Sequence, residues 1–258
     1  MRYGFSLVEL SIVLVILGLL TGGILAGQSL IRAAELRTLT LDYNKFHTAI
    51  YSFRDKYFAL PGDMTNATSF WGVAAGDGIA ENAPCRSTAT TDGRTCNGNG
   101  DGRISCNVVG CSFYEMVRGW QQLARAGFIE GNYVGAPSPG YFVSGVTTPD
   151  SRIADGGVWS MIHYSSLAGG TTFYATPEGH QLTIEGSSGA VNYLKPAEAW
   201  NIDVKLDDGM PNRGTVLGVK GTTALPCSTT ANQPATADVN SQYNLASDTV
   251  SCRLSFGF

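Results

Sequence analysis

Asparagine and aspartate alternate with glycine in Asn97-Gly98-Asn99-Gly100-Asp101-Gly102-Arg103-Ile104. That spacing sets side-chain oxygens two residues apart on a backbone free to curl, which is how a short loop wraps a hard cation such as Ca2+. Counting from Asn97, oxygens fall at the first, third and fifth positions. Gly102 is sixth, Arg103 seventh and the aliphatic Ile104 eighth. The twelfth position, where such loops place an acid, is Val108. Asp101 is therefore the one carboxylate inside the loop, and Glu115, from the helix that follows, is the residue placed to add a second. The candidate ligand set is Asn97, Asn99, Asp101, Arg103 and Glu115. Two other uses compete: Glu115 also fits the last position of a capping box, Ser112-Phe113-Tyr114-Glu115, and the loop itself reads equally as a tight Asn/Gly turn. Asp203, Asp207 and Asp208 make a second oxygen cluster, read as a solvated helix end and turn.

Cysteine is the other chemistry-bearing residue. Cys85, Cys96, Cys106 and Cys111 crowd around the loop, and Cys227 and Cys252 bracket a polar segment further on. No C-x2-C pair occurs, so zinc is the weaker reading and disulfides the stronger. Within the insertion, Cys85 is expected to pair with Cys96 and Cys106 with Cys111. Histidine occurs only at 47, 163 and 180, and the chain has no HExxH, GxSxG or GxxxxGK[ST] motif. The expectation is a non-enzyme without an organic cofactor. A membrane-tethered hydrolase using His163 and a nearby serine is the least favoured alternative, since His163 alternates within an apolar strand. A formal charge of −4 and the lack of a basic run interleaved with aromatics point away from nucleic acid.

The elements that must carry these groups fall into two unlike parts. Residues 10–31 hold no charged side chain, and as a helix they extend about 33 Å, enough to cross a bilayer core. In phase with them, Leu36, Leu39, Tyr43, Phe46, Ile50, Phe53 and Tyr57 recur at steps of three and four, an apolar stripe on a helix. Leu60-Pro61-Gly62-Asp63 stops it, which predicts one helix over 5–60, apolar all round and then amphipathic. Residues 62–111 read as loop. A helix is predicted from Ser112 to Gly127 and another over 196–206. Strands are predicted at 140–146, 158–164, 171–175, 181–185 and 215–219. A last strand is marked by Val250, Cys252, Leu254, Phe256 and Phe258, alternating as if one face were buried.

Gly4-Phe5-Ser6-Leu7-Val8-Glu9 followed by an apolar run resembles the type IV prepilin signature shared by pilins and type II secretion pseudopilins. The resemblance implies an α+β, type IV pilin-like fold with a long amino-terminal helix packed on an antiparallel sheet. It divides the chain into a leader (1–4), a transmembrane and polymerisation helix (5–31), its amphipathic continuation (32–60) and a globular domain (61–258). The leader carries one basic residue, Arg2, and is shorter and less basic than is usual in the family. Segments 57–63 and 199–214 also resemble pilin-like subunits. The resemblance implies cleavage between Gly4 and Phe5 by a prepilin peptidase, N-methylation of Phe5, and pairing of its amine with Glu9 of a neighbouring subunit. Glu9 capping its own helix or snorkelling at the interface is the simpler use. A disulfide between Cys227 and Cys252 is implied in the same way. So is local unwinding at Gly18, Gly22, Gly23 and Gly27, although the glycines also suit close helix packing. The expected partners are other copies or related pilins, the peptidase and the inner-membrane assembly machinery. The subunit is expected as a single-pass inner-membrane protein first and part of a periplasmic or extracellular filament later. Alternatives are a secretion pseudopilin and a calcium-dependent adhesive module on a pilin stalk. The Asn97–Ile104 run itself looks like the start of an EF-hand or dockerin calcium loop.

Overall fold

A computed structural model describes residues 6–79, 82–105, 114–136, 142–153, 156–164, 179–186, 191–220, 227–229 and 240–258. Helix α1 runs Leu7–Tyr57, 51 residues, about 76 Å long. Ser6 caps its start: its hydroxyl accepts from the Val8 amide at 3.3 Å, and Glu9 Oε2 accepts from the Ser6 amide at 2.8 Å. This is a reciprocal capping box. The helix ends three residues before the predicted stop. Phe58 turns into the left-handed region at φ 53° while its N–H still donates to the Arg54 carbonyl at 2.8 Å. It is the only non-glycine residue with positive φ among those described. Pro61 also disfavours helical backbone at Leu60.

The first part of α1, through Ala26, is exposed throughout. Over the second part the apolar stripe meets the core: Leu39, Phe46, Ile50 and Phe53 are buried, and Leu36, Tyr43 and Tyr57 pack against them. Four antiparallel strands follow: β1 Gly157–Tyr164, β2 Gly179–Gly186, β3 Val216–Lys220 and β4 Cys252–Gly257. Their order in the sheet is β1-β2-β4-β3. The register aligns Trp159 with Ile184, Met161 with Leu182, and Leu182 with Phe256. Residues alternate faces along a strand, so Trp159, Met161, Leu182, Ile184, Leu254 and Phe256 share the face toward α1. Phe46 meets Trp159 and Trp120 edge-on, with ring centroids 5.5 and 4.9 Å apart. The long helix on an antiparallel sheet makes the α+β fold expected.

Several expectations change. Strand β4 is buried on both faces, not one: Arg253 and Ser255 on its far side are covered, with Arg253 paired to Glu185 and Ser255 donating to Gln181. The 62–111 stretch is not all loop, since it holds the short helices α2 Ala67–Trp71 and α3 Ala83–Ser87. Residues 142–148 form a turn around Gly145 (φ 68°) instead of a strand, with the Thr147 hydroxyl accepting from the Val143 amide. The predicted strand at 171–175 lies outside the described residues. Helix α4 spans Tyr114–Arg125, and α5 spans Pro196–Leu206 as predicted. Cys85 is bonded to Cys96 and Cys227 to Cys252. The expected Cys106–Cys111 pair lies outside the described residues.

Candidate functional site

The glycine-rich loop closes around a residue that sequence spacing does not single out. Asp63, just after the turn that ends α1, accepts from the Gly100 amide at 2.6 Å and the Asp101 amide at 3.1 Å through Oδ1. Its Oδ2 accepts from the Gly102 amide at 2.9 Å. Such an approach of backbone to carboxylate requires glycine: a Cβ at Gly98 would lie 2.3 Å from the Asp63 backbone, and Gly100 has φ 73°. Asp101 Oδ1 accepts from the Arg103 amide at 2.8 Å, and its Oδ2 from the Asn99 side chain at 3.2 Å. Glu115, in the first turn of α4, accepts from the Asn99 amide at 3.2 Å and from the amide and hydroxyl of Ser105 at 2.8 and 2.7 Å. It thus pins both ends of the loop. Ser112, its proposed capping partner, lies outside the described residues.

Asp63, Asp101 and Glu115 each bring a carboxylate oxygen within 4.8 Å of the others. Burial pushes the Glu115 carboxyl up to about 7 against the pull of its hydrogen bonds. Burial likewise raises that of Asp63. An ionised carboxylate has about four acceptor positions. Among the described residues, bonds to Asp63 and Glu115 take three each and those to Asp101 two, which leaves each at least one position by that count. The donor set is all oxygen, which fits Ca2+. The ligand set expected from spacing is otherwise redistributed. Asn97 turns away to accept from the Thr68 amide of α2 at 2.8 Å, and the Arg103 amide donates to Asp101.

His180 completes the anchoring of the loop, accepting from the Ile104 amide at 3.2 Å through Nε2. Burial, then the facing His163, lowers its pKa to about 4, so it serves there as a neutral acceptor. The second acid cluster is a solvated helix end only in part: Asp208 is exposed and Asp207 half-buried, but Asp203 is fully buried. Asp203 accepts from the Tyr243 hydroxyl at 2.8 Å and the Gly209 amide at 3.1 Å.

At the other end of the molecule, Glu9 is exposed and its carboxylate points back along the helix to the Ser6 amide, one residue from Phe5. Gly4 and Phe5 lie outside the described residues. Beyond the helix's own backbone, no heavy atom of the described residues lies within 4 Å of where a Cβ would stand on Gly18, Gly22, Gly23 or Gly27, so none of them requires glycine there. Helix α1 is long and apolar enough to cross a membrane.

Residues 1–25 match the family model described as the prokaryotic N-terminal methylation motif. No curated protein and no solved structure matches the chain. The matched segment holds Gly4, Phe5 and Glu9, and is the signature common to type IV pilins and pseudopilins. That signature implies processing by a prepilin peptidase and assembly into a polymer.

Proposed function

We propose that this protein is a structural subunit of a type IV pilus-like bacterial filament, held in the inner membrane by α1 before assembly and in a periplasmic or extracellular filament afterwards. The observation that carries this reading is the division of a single helix. Its first part, under the methylation motif, is apolar and exposed among the described residues, while its second part is built into the domain core. Exposed apolar surface of that extent needs lipid or other copies of itself to cover it.

Glu9 has two uses in this scheme. Within one subunit its carboxylate satisfies the Ser6 amide. In a filament it would pair with the Phe5 amine of a neighbour, a desolvated charge that is stable only when matched. Glu9→Ala is expected to insert into the membrane normally and to fail to assemble. Filaments of wild-type number and length from this variant would refute the pairing. The same assay, with the chain expressed in its own filament system, separates long surface filaments from the short periplasmic ones of a secretion pseudopilin.

We also propose Ca2+ at Asp63, Asp101 and Glu115. Bound there, the ion would balance three converging negative charges and lock the loop against α1 and α4. Because the Glu115 carboxyl is held up to about 7, binding requires loss of a proton, and affinity is expected to rise with pH through neutrality. Calorimetric titration of the detergent-solubilised chain with Ca2+ tests this. No heat above that of Asp63→Asn would count against the site.

A further inference from the structure

Arg32 is the first charged residue after the apolar run, and it is held by the domain. Its Nε and Nη2 donate to the two carboxylate oxygens of Glu198, each at 2.7 Å. Nη2 also donates to the Tyr193 carbonyl at 2.7 Å, and Nη1 to Glu35 at 3.0 Å. Glu198 in turn accepts from the Lys195 amide at 2.9 Å in the first turn of α5. The start of α5 therefore stands level with Arg32. Its far end is tied to the level of Tyr43 by a chain of hydrogen bonds: the Tyr43 hydroxyl donates to the Gly257 carbonyl at 3.1 Å, the Gly257 amide to the Thr215 carbonyl at 2.6 Å, and the Thr215 amide to Asp207, the residue that follows α5. Helix α5 thus runs beside α1 and in the same direction, away from the apolar run.

This geometry fixes a depth. A helix over 10–31 spans about 33 Å against about 30 Å of hydrocarbon, with a headgroup layer of about 5–7 Å on each side. Arg32 falls where hydrocarbon gives way to headgroups, and whatever is bonded to it falls there too. That includes the first turn of α5. It also includes the segment preceding β4, because the Ser251 amide donates to the Leu194 carbonyl at 3.1 Å and Leu194 pairs with Cys252. This base of the domain shows apolar side chains to the outside: Trp200 is 39% and Val250 43% exposed. The Trp200 backbone lies two residues past Glu198, about 3 Å further along the helix axis and within the depth of the headgroup layer, with its indole reaching on toward Gly209. Tryptophan favours that layer, which wets its N–H and shelters its rings. Lys195 is bonded at 2.7 Å to Asp248, itself almost fully exposed, and can exchange that partner for a lipid phosphate.

We propose that the base of the domain, the first turns of α5 with Trp200 and the adjoining Val250, is a lipid-surface contact seated among the headgroups while the subunit is stored in the membrane. The proposal rests on the reading of α1 as a membrane span and not on filament assembly.

The test uses the full chain in phosphatidylethanolamine/phosphatidylglycerol vesicles, with a nitroxide on the lipid headgroup as quencher. Subtracting the emission of Trp200→Phe from that of wild type isolates Trp200. Its emission is expected to be lost to the headgroup nitroxide and shielded from aqueous acrylamide. In Arg32→Gln, which releases the clamp, nitroxide quenching of Trp200 is expected to fall. Trp200 emission quenched fully by acrylamide and untouched by the nitroxide, in protein that floats with the vesicles, would overturn the contact alone. Protein that does not float with vesicles would overturn the membrane reading beneath it, and the contact with it.

Discussion

Asp203→Asn removes a buried charge while keeping its shape, and is expected to make the domain more stable above neutral pH. Asp203 is fully buried in α5 and accepts one bond on each oxygen, from Tyr243 and Gly209. Burial, abetted by Asp207 and Asp208, raises its carboxyl from 3.8 to about 7 despite those bonds. The folded state therefore binds the proton more tightly than the unfolded state. Its stabilising effect is complete below pH 3.8 and is lost as pH rises toward 7. At about 1.4 kcal/mol per pH unit, that gap is worth about 4 kcal/mol. For a body of this size the loss lowers Tm by on the order of 10 °C. Asparagine stays neutral at every pH, accepts the Gly209 amide through its oxygen and can donate its amide to the Tyr243 hydroxyl, which reverses. Thermal unfolding of both proteins from pH 4 to pH 8, followed by tryptophan emission, measures the difference. Wild type should lose Tm with rising pH more steeply than Asp203→Asn, and the two curves should diverge most at pH 8. Parallel curves, or a variant that is the less stable at pH 8, would refute the assignment of a raised carboxyl to this site.

Cys227→Ser with Cys252→Ser opens a loop of 25 residues in sequence separation and is expected to cost about 3 kcal/mol, read as a lower denaturation midpoint with a steeper slope, because the freed chain unfolds to a more open state. Gly98→Ala forces a methyl into the Asp63 backbone. It is expected to cost about 1–3 kcal/mol and to weaken Ca2+ binding, whereas Gly93→Ala, although also strained by its positive φ, meets no neighbour within 4 Å and should leave Ca2+ binding unchanged. Equal loss of binding in both variants would show that the close packing of the loop on Asp63 is unimportant.

What was legible in the sequence follows from what is local. The stripe from Leu36 to Tyr57 announces its helix because burial on one face leaves a 3.6-residue period, and the predicted helix over 196–206 matches α5, which has Pro196 in its first turn and Asp207 as its C-cap. The helix stop was misplaced because Phe58 adopts a left-handed conformation that aromatic residues rarely take. The glycine loop showed its curl but not its centre. Asp63 is 37 residues from Gly100, and only the packing of the α1 turn against α4 brings them together. Arg32 and Glu198 are 166 apart, and no periodicity connects them. The buried far face of β4 was hidden because Arg253 and Ser255 have the polarity of surface residues, and it is their partners Glu185 and Gln181 that make burial tolerable.

The place of β4 in the sheet has a consequence for timing. It is the last strand in chain order, yet it lies between β2 and β3 and pairs with both. Until it arrives those two strands have no common neighbour, Cys227 has no partner, and the aromatic face toward α1 lacks Phe256. On the proposed reading, a chain threading across the membrane amino-terminal part first would stay open until Cys252–Gly257 emerge. Oxidation of Cys227 with Cys252 would then mark a chain that has passed β4, and one interrupted before it would present two unpaired strand edges by which a protease can recognise it.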